Sequence, residues 1–118
     1  MKKMGLKKFL SMLPKKGWKE DNSGALRYRV GSKKSCCPIT AVALRTTGKH
    51  YSTYDYVDAA VAINLNEDLI DPIVIAADGA NDRTTAAFRK KLVAACGLKR
   101  DRLMERTKAA EKAYKEGR

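Results

Sequence analysis

Adjacent cysteines, Cys36 and Cys37, are followed by a proline, and this is where the sequence comes closest to nucleophilic chemistry. Proline is favoured in the first turn of a helix, so Cys37 is predicted near a helix N-cap. A thiol at a helix N-terminus, with Lys33 and Lys34 close in sequence, is of the kind that becomes reactive. Such a nucleophile also needs a base, and nothing in the sequence brings the sole histidine, His50, to the thiols. We therefore predict buried structural thiols rather than an enzyme.

The sequence supports metal binding and acid–base catalysis no better than it supports a nucleophilic thiol. The three cysteines and the histidine lack the C-x₂-C spacing that lets two thiolates face one ion, so no metal site and no cofactor are expected. Asp55 and Asp58 resemble a carboxylate pair, but acids near the start of a helix commonly offset its dipole. No catalytic residue is therefore predicted.

Apolar spacing marks the helices that must position these residues. Leu6, Phe9, Leu10 and Leu13 predict a short amphipathic helix over about residues 3–13, which the following proline ends. The remaining helices are expected near residues 38–44, 52–63, 67–77 and 83–96, with a polar one in the tail. The third of these, 67–77, contains a β-branched run that is also compatible with a buried strand, although we favour the helix.

The segment from Gly24 to Gly31 alternates between apolar and basic side chains. Period two between glycines predicts a short strand with Leu26, Tyr28 and Val30 facing the core. An extended segment lying on the helices fits the same pattern. The predicted fold is therefore mainly α, a small domain of about four to six helices with at most one short strand near residues 25–30.

Two details concern the helix over residues 83–96. Gly97 is expected to end it in the left-handed conformation. Arg89, Lys90 and Lys91 are expected to form an exposed basic edge. The preceding turn, "DGAND", is expected to cap the helix with Asn81 or Asp82.

Charge divides the 118 residues into three parts. Residues 1–35 hold eleven Lys/Arg and two acids, a net of +9; residues 36–98 have a net of −1; residues 99–118 have a net of +4. We predict a basic N-terminal arm over 1–35, a helical core over 36–98 and a basic C-terminal helix over 99–118. Arms of this kind are usually mobile until they meet a polyanion, so deleting residues 1–19 is expected to leave the core folded.

The order "CPITAVA", "DPIVIAADGAND" and "FRKKLVAACGL", over about residues 36–98, resembles short helical proteins encoded in bacteriophage and prophage genomes. The resemblance implies a phage or bacterial setting and a small helical domain, and it brings no catalytic or binding residues. It implies a location in the cytoplasm of a bacterial host or in the virion.

A net charge of +12 favours a nucleic-acid-binding protein that contacts the phosphates of DNA or RNA with little sequence specificity. The predicted phosphate-binding residues are Lys2, Lys3, Lys7, Lys8, Lys15, Lys16, Lys19, Arg27, Arg29, Lys33 and Lys34. Trp18 and Tyr28 could stack on bases if they are exposed, although packing in the core is the favoured role for each.

Two alternatives remain open. In one, the protein is a phage virion or protein-interaction component that docks through its terminal helices, with its basic charge against an acidic protein surface in a larger assembly. In the other, the N-terminal helix makes weak contact with a membrane surface through Phe9, Leu10, Leu13 and Trp18.

Overall fold

The computed structural model describes residues 2–31, 34–79 and 83–117. Within these ranges the chain is mainly helical, as predicted, with a small antiparallel sheet. The elements are α1 (Leu6–Met12), β1 (Trp18–Glu20), β2 (Leu26–Val30), β3 (Lys34–Cys36), α2 (Pro38–Thr47), α3 (Tyr56–Ala62), α4 (Ile70–Asp78), α5 (Arg83–Ala95) and α6 (Arg102–Lys115). Single 3₁₀ turns at Thr53–Asp55 and Glu67–Leu69 lead into α3 and α4.

Helix α2 begins where the sequence predicted. Cys37 is its N-cap residue in extended conformation, and the following proline occupies the first turn. Ile39 and Val42, three residues apart, are fully buried and form its core-facing side. The helix continues to Thr47, past the predicted end, and stops at Gly48, whose φ of 76° is left-handed.

Residues 70–78 form a helix, and the alternative of a buried strand is wrong. Ile73, Ala76 and Ala77 are buried, which is helical spacing, while Ile75 remains 44% exposed. A strand buried on both faces would have enclosed Ile75 as well. The β-branched run therefore supplies one buried stripe of α4 rather than a central strand.

The sheet is larger than predicted. Strand β2 is confirmed, and it pairs antiparallel with β1 on one side and with β3 on the other. Tyr28 lies opposite Trp18 in β1 and Cys36 in β3. The outer strands have three residues each, too short to show an alternating pattern in the sequence, and pairing with β2 is what defines them.

The N-terminal segment belongs to the core, and the expectation that residues 1–35 form an arm outside it is wrong. Phe9 and Leu13 have no exposed surface and Trp18 is 6% exposed, because α1 packs its apolar face against α2 and α5. Gly97, at the end of α5, lies so close to the carbonyl of Lys15 that an added Cβ would stand 2.5 Å from that oxygen. Deleting residues 1–19 would therefore remove part of the core.

The two C-terminal helices differ in how they pack. In α5, Leu92, Val93 and Cys96 are buried and Gly97 has the predicted left-handed φ of 76°. The predicted caps Asn81 and Asp82 lie outside the described residues. Helix α6 has no buried residue of its own and is attached at its start. Its Leu103 packs against Gly24 and Gly79, and an added Cβ at Gly79 would overlap that leucine at 1.8 Å.

Candidate nucleic-acid interface

Four of the predicted phosphate-binding lysines line one open groove of about 920 Å³. It runs between the N-terminal residues with the start of α1 and the loop that joins α3 to α4. Every charged residue that lines the groove is a lysine: Lys2, Lys3, Lys7 and Lys8. Its other polar side chains are Ser11, Asn64 and Asn66. A groove with this lining offers positive charge and neutral hydrogen-bonding groups to an anion.

The backbone that carries these lysines is held by hydrogen bonds. Met4 and Leu65 form a parallel bridge, in which the Met4 amide donates to the Asn64 carbonyl at 2.7 Å and the Asn66 amide donates to the Met4 carbonyl at 3.0 Å. The Asn64 side chain also donates to the Lys2 carbonyl at 3.1 Å. Asn64 has a left-handed φ of 55°, which asparagine tolerates better than most residues. The lysines therefore project from ordered backbone.

One carboxylate reaches the groove from its rim. Lys3 Nζ lies 3.8 Å from a carboxylate oxygen of Glu67, and both side chains are more than half exposed. An exposed pair of this kind contributes little to stability and exchanges readily with other ions. Lys3 can therefore exchange Glu67 for a phosphate with little loss of free energy.

A second basic group lies on the outer face of the sheet. Lys19 stands directly opposite Arg27 across β1 and β2, and Arg29 follows two residues along the same face. Arg27 is half-buried and is already paired with Asp78 at 3.4 Å, while Arg29 is exposed. Of this group, Lys19 and Arg29 are the side chains open to an external anion.

The remaining predicted residues belong to neither group or lie outside the described residues. Lys15 and Lys16 are exposed in the bend between α1 and β1. Lys34 begins β3, and Lys33 lies outside the described residues. The structure therefore brings together four of the eleven predicted residues in the groove and places three more on the outer face of β1 and β2.

Trp18 packs in the core, which was the favoured expectation, and the alternative of stacking on a base is wrong. Its ring is buried, its indole N–H donates to the Pro14 carbonyl, and it packs against Tyr28 with ring centroids 5.4 Å apart. Tyr28 is half-buried and lines a groove of about 520 Å³ with Lys15 and Arg45, so its stacking role stays a prediction. The apolar residues that were expected to contact a membrane pack in the protein core: Phe9, Leu13 and Trp18 are buried, and Leu10 packs against them.

Arg89 is a structural residue that the sequence analysis misplaced. It was expected on an exposed edge, and it has no exposed surface. Its guanidinium forms a two-point ion pair with Asp101, at 2.5 and 3.2 Å, and donates to the Ala76, Ala77 and Gly24 carbonyls at 2.6–2.8 Å. One side chain thereby joins α5, the end of α4, the β1–β2 turn and the start of α6. Lys90 and Lys91 are exposed, as predicted.

The sequence did contain a signal for this burial. Arg89 precedes Leu92, Val93 and Cys96 by three, four and seven residues, so it lies on the buried stripe of α5. An arginine at such a position requires an acidic partner, and Asp101 was available just before the final helix. Asp101 also accepts a hydrogen bond from the Leu103 amide at 3.2 Å as the N-cap of α6.

Glu20 in β1 completes this cluster with an unusual protonation balance. Burial raises the pKa of Glu20, and its hydrogen bond with Asp101 raises that pKa further. Burial alone would also raise the pKa of Asp101, but hydrogen bonds from Arg89 and Glu20 hold it below its ordinary value. Glu20 Oε1 is buried, and no group donates a hydrogen bond to it when Glu20 is ionised. Protonated Glu20 could instead donate a hydrogen bond to Asp101.

The three cysteines are buried and unpaired by disulfides, which confirms the prediction of buried thiols. Burial raises the pKa of the Cys36 thiol and raises that of Cys96 to about 12. A thiol of that kind is protonated at neutral pH and reacts slowly.

No family model, curated protein or solved structure matches this chain. Across the described ranges, no helix is both long enough and apolar enough to cross a bilayer. The geometry of the chain's own residues therefore has to support any functional assignment.

Proposed function

We propose that the protein binds DNA or RNA through its phosphates, with little sequence specificity, and that the lysine groove is the principal contact. The observation that carries this proposal is the groove lining, in which every charged side chain among the described residues is a lysine: Lys2, Lys3, Lys7 and Lys8. A lysine is a point charge with no preferred plane, so it attracts phosphate without reading bases.

Two further observations support the proposal. The net charge of +12 on 118 residues favours long-range attraction to a polyanion. The backbone at the start of the chain is hydrogen-bonded to the loop between α3 and α4. Binding therefore costs less conformational entropy than it would if the lysines lay on a mobile arm. Lys19 and Arg29 on the sheet would add contacts only if the nucleic acid extends past the groove.

The experiment compares two variants that lose the same charge. One replaces the four groove lysines with glutamine, and the other replaces four exposed lysines elsewhere, Lys90, Lys91, Lys99 and Lys108. Affinity for a short duplex and for a single strand is measured across a salt series with nucleic-acid-free protein. Each lost phosphate contact should flatten the slope of log K against log salt by about 0.9 on duplex and about 0.7 on single strands.

For the groove variant, we expect the duplex slope to flatten by about 3 to 4 and all sequences to be weakened alike. For the control variant, a change of less than about 1 is expected. Equal effects from both variants would contradict the groove as the contact and leave only general charge attraction. Absence of binding at low salt would contradict the proposed function itself.

A further inference from the structure

The acidic residues of this basic protein are concentrated in one stretch of the fold. Residues 50–82 contain no Lys or Arg and seven of the thirteen Asp and Glu residues. Those that the structure describes are all exposed, on α3, α4 and the turns that precede them: Asp55, Asp58, Glu67, Asp68, Asp71 and Asp78. Glu67 and Asp78 pair with basic residues of the same chain. These two segments are thus acidic although the whole protein is not.

The same two segments carry most of the exposed large apolar side chains of the described residues. Tyr54, Val57 and Val61 are 92%, 50% and 74% exposed and follow helical spacing along the turn before α3 and α3 itself. Ile75 on α4 is 44% exposed. A small groove of about 210 Å³ opens between the start of α3 and α4, where Tyr54, Val74 and Ala77 contribute apolar walls. Arg27 and Asp78, which pair with each other, also line it. We call the exposed sides of α3 and α4, which meet at this groove, the α3–α4 face.

An acidic surface with apolar side chains fits a partner that is basic and apolar, and the chain carries such an element itself. Helix α6 buries none of its residues. Residues 106–115 hold four Lys/Arg and one Glu, a net of +3. Tyr114 is 86% exposed, and in the described ranges it is the one exposed large apolar side chain that lies off the α3–α4 face.

We propose that α6 of one copy docks on the α3–α4 face of a second copy, with Tyr114 as its apolar anchor. Ala110 and Tyr114 continue the stripe that Leu103 begins, so one side of the helix is apolar while the remaining positions carry more basic than acidic side chains. The contact joins two different surfaces and is therefore heterologous. It is separate from the phosphate contact, and neither proposal depends on the other.

A contact of one helix with one face buries less than a standard interface, so self-association is expected to be weak and dependent on salt. The test is sedimentation velocity of nucleic-acid-free protein over a range of concentrations. Wild-type protein should associate at about 0.1 M salt and dissociate at about 1 M salt, where the Debye length falls to about 3 Å.

Two variants interrupt the contact from opposite sides. The face variant combines Asp58→Lys with Val61→Lys, and the helix variant combines Tyr114→Ala with Lys115→Glu. All four residues are exposed, so the fold should persist, which circular dichroism checks. Lys91→Glu is the control, because it makes the same charge change as the helix variant at an exposed site on α5.

Each variant alone should weaken self-association at least about tenfold, while the control should stay near wild type. A mixture of the two variants should associate again, because each retains the half of the contact that the other has lost. The proposal is overturned if wild-type protein stays monomeric at about 0.1 M salt, if either variant associates like the control, or if the mixture does not recover.

Discussion

Replacing Arg89 with methionine should destabilise the protein strongly, because this side chain joins four elements. Methionine fills a similar volume but leaves the Asp101 carboxylate, 6% exposed, without its ion-pair partner. It also removes the donors to the Gly24, Ala76 and Ala77 carbonyls. Breaking one side of a buried ion pair typically costs about 3–5 kcal/mol.

A loss of that size is a large part of the total stability of about 5–15 kcal/mol expected for a single domain. The assay is urea unfolding followed by far-UV circular dichroism, with the slope against denaturant checked for two-state behaviour. The control is Lys90→Met, which also replaces a basic residue with methionine but at the next, exposed position of α5. Its free energy of unfolding should stay within about 0.5 kcal/mol of the wild-type value.

A double-mutant cycle separates the ion pair from the loss of packing. Asp101→Asn keeps the N-cap of α6, since asparagine caps a helix as well as aspartate does. Combined with Arg89→Met, it removes the unpaired buried charge, so the double variant should be more stable than the sum of the single changes by about 1–3 kcal/mol. A cost for Arg89→Met no larger than that for Lys90→Met, or strict additivity with Asp101→Asn, would refute the reasoning.

Three further predictions concern other parts of the core. Gly97→Ala should destabilise the fold by at least about 1 kcal/mol more than Gly48→Ala, measured by urea unfolding; both glycines have φ of 76°, but only Gly97 abuts a backbone carbonyl. Glu20→Gln should stabilise the protein relative to wild type at neutral pH and lose that advantage as pH falls to the ordinary glutamate pKa of 4.5. Because the pKa of Glu20 is raised in the folded state, its protonated form stabilises wild type fully below pH 4.5, and wild type loses this stabilisation as pH rises through the folded pKa. Glutamine is neutral at every pH, so it avoids that loss. An advantage independent of pH would contradict this assignment. Cys96, with a pKa of about 12, should be alkylated far more slowly in folded than in urea-unfolded protein, as followed by mass spectrometry; equal rates would show that the thiol is not protected.

Local rules were sufficient for most of the helices. The start of α2 at Cys37–Pro38 and the end of α5 at Gly97 were predicted, because capping depends on the backbone conformation of a few consecutive residues. The apolar stripe of α1 was also predicted, although its burial in the core was not, since apolar side chains three and four residues apart share one face. These features depend on neighbours within about one or two turns of the chain.

The lysine groove was predictable only in part. The basic character of residues 1–35 was clear from the sequence, but the groove also needs the loop around Asn64, some sixty residues further on. The bridge between Met4 and Leu65 that brings them together has no local signature, because strand-like pairing depends on a distant partner.

The sequence by itself determined the charge of this protein, its helical class and where its helices are capped. Only the tertiary structure decided which basic side chains face solvent. Arg89 and Lys90 are neighbours of the same charge, yet one is enclosed by the β1–β2 turn, α4 and α6 while the other is exposed. The physical reason is that a charge can be buried only where donors and acceptors from distant segments converge on it, and that convergence is a property of the assembled fold.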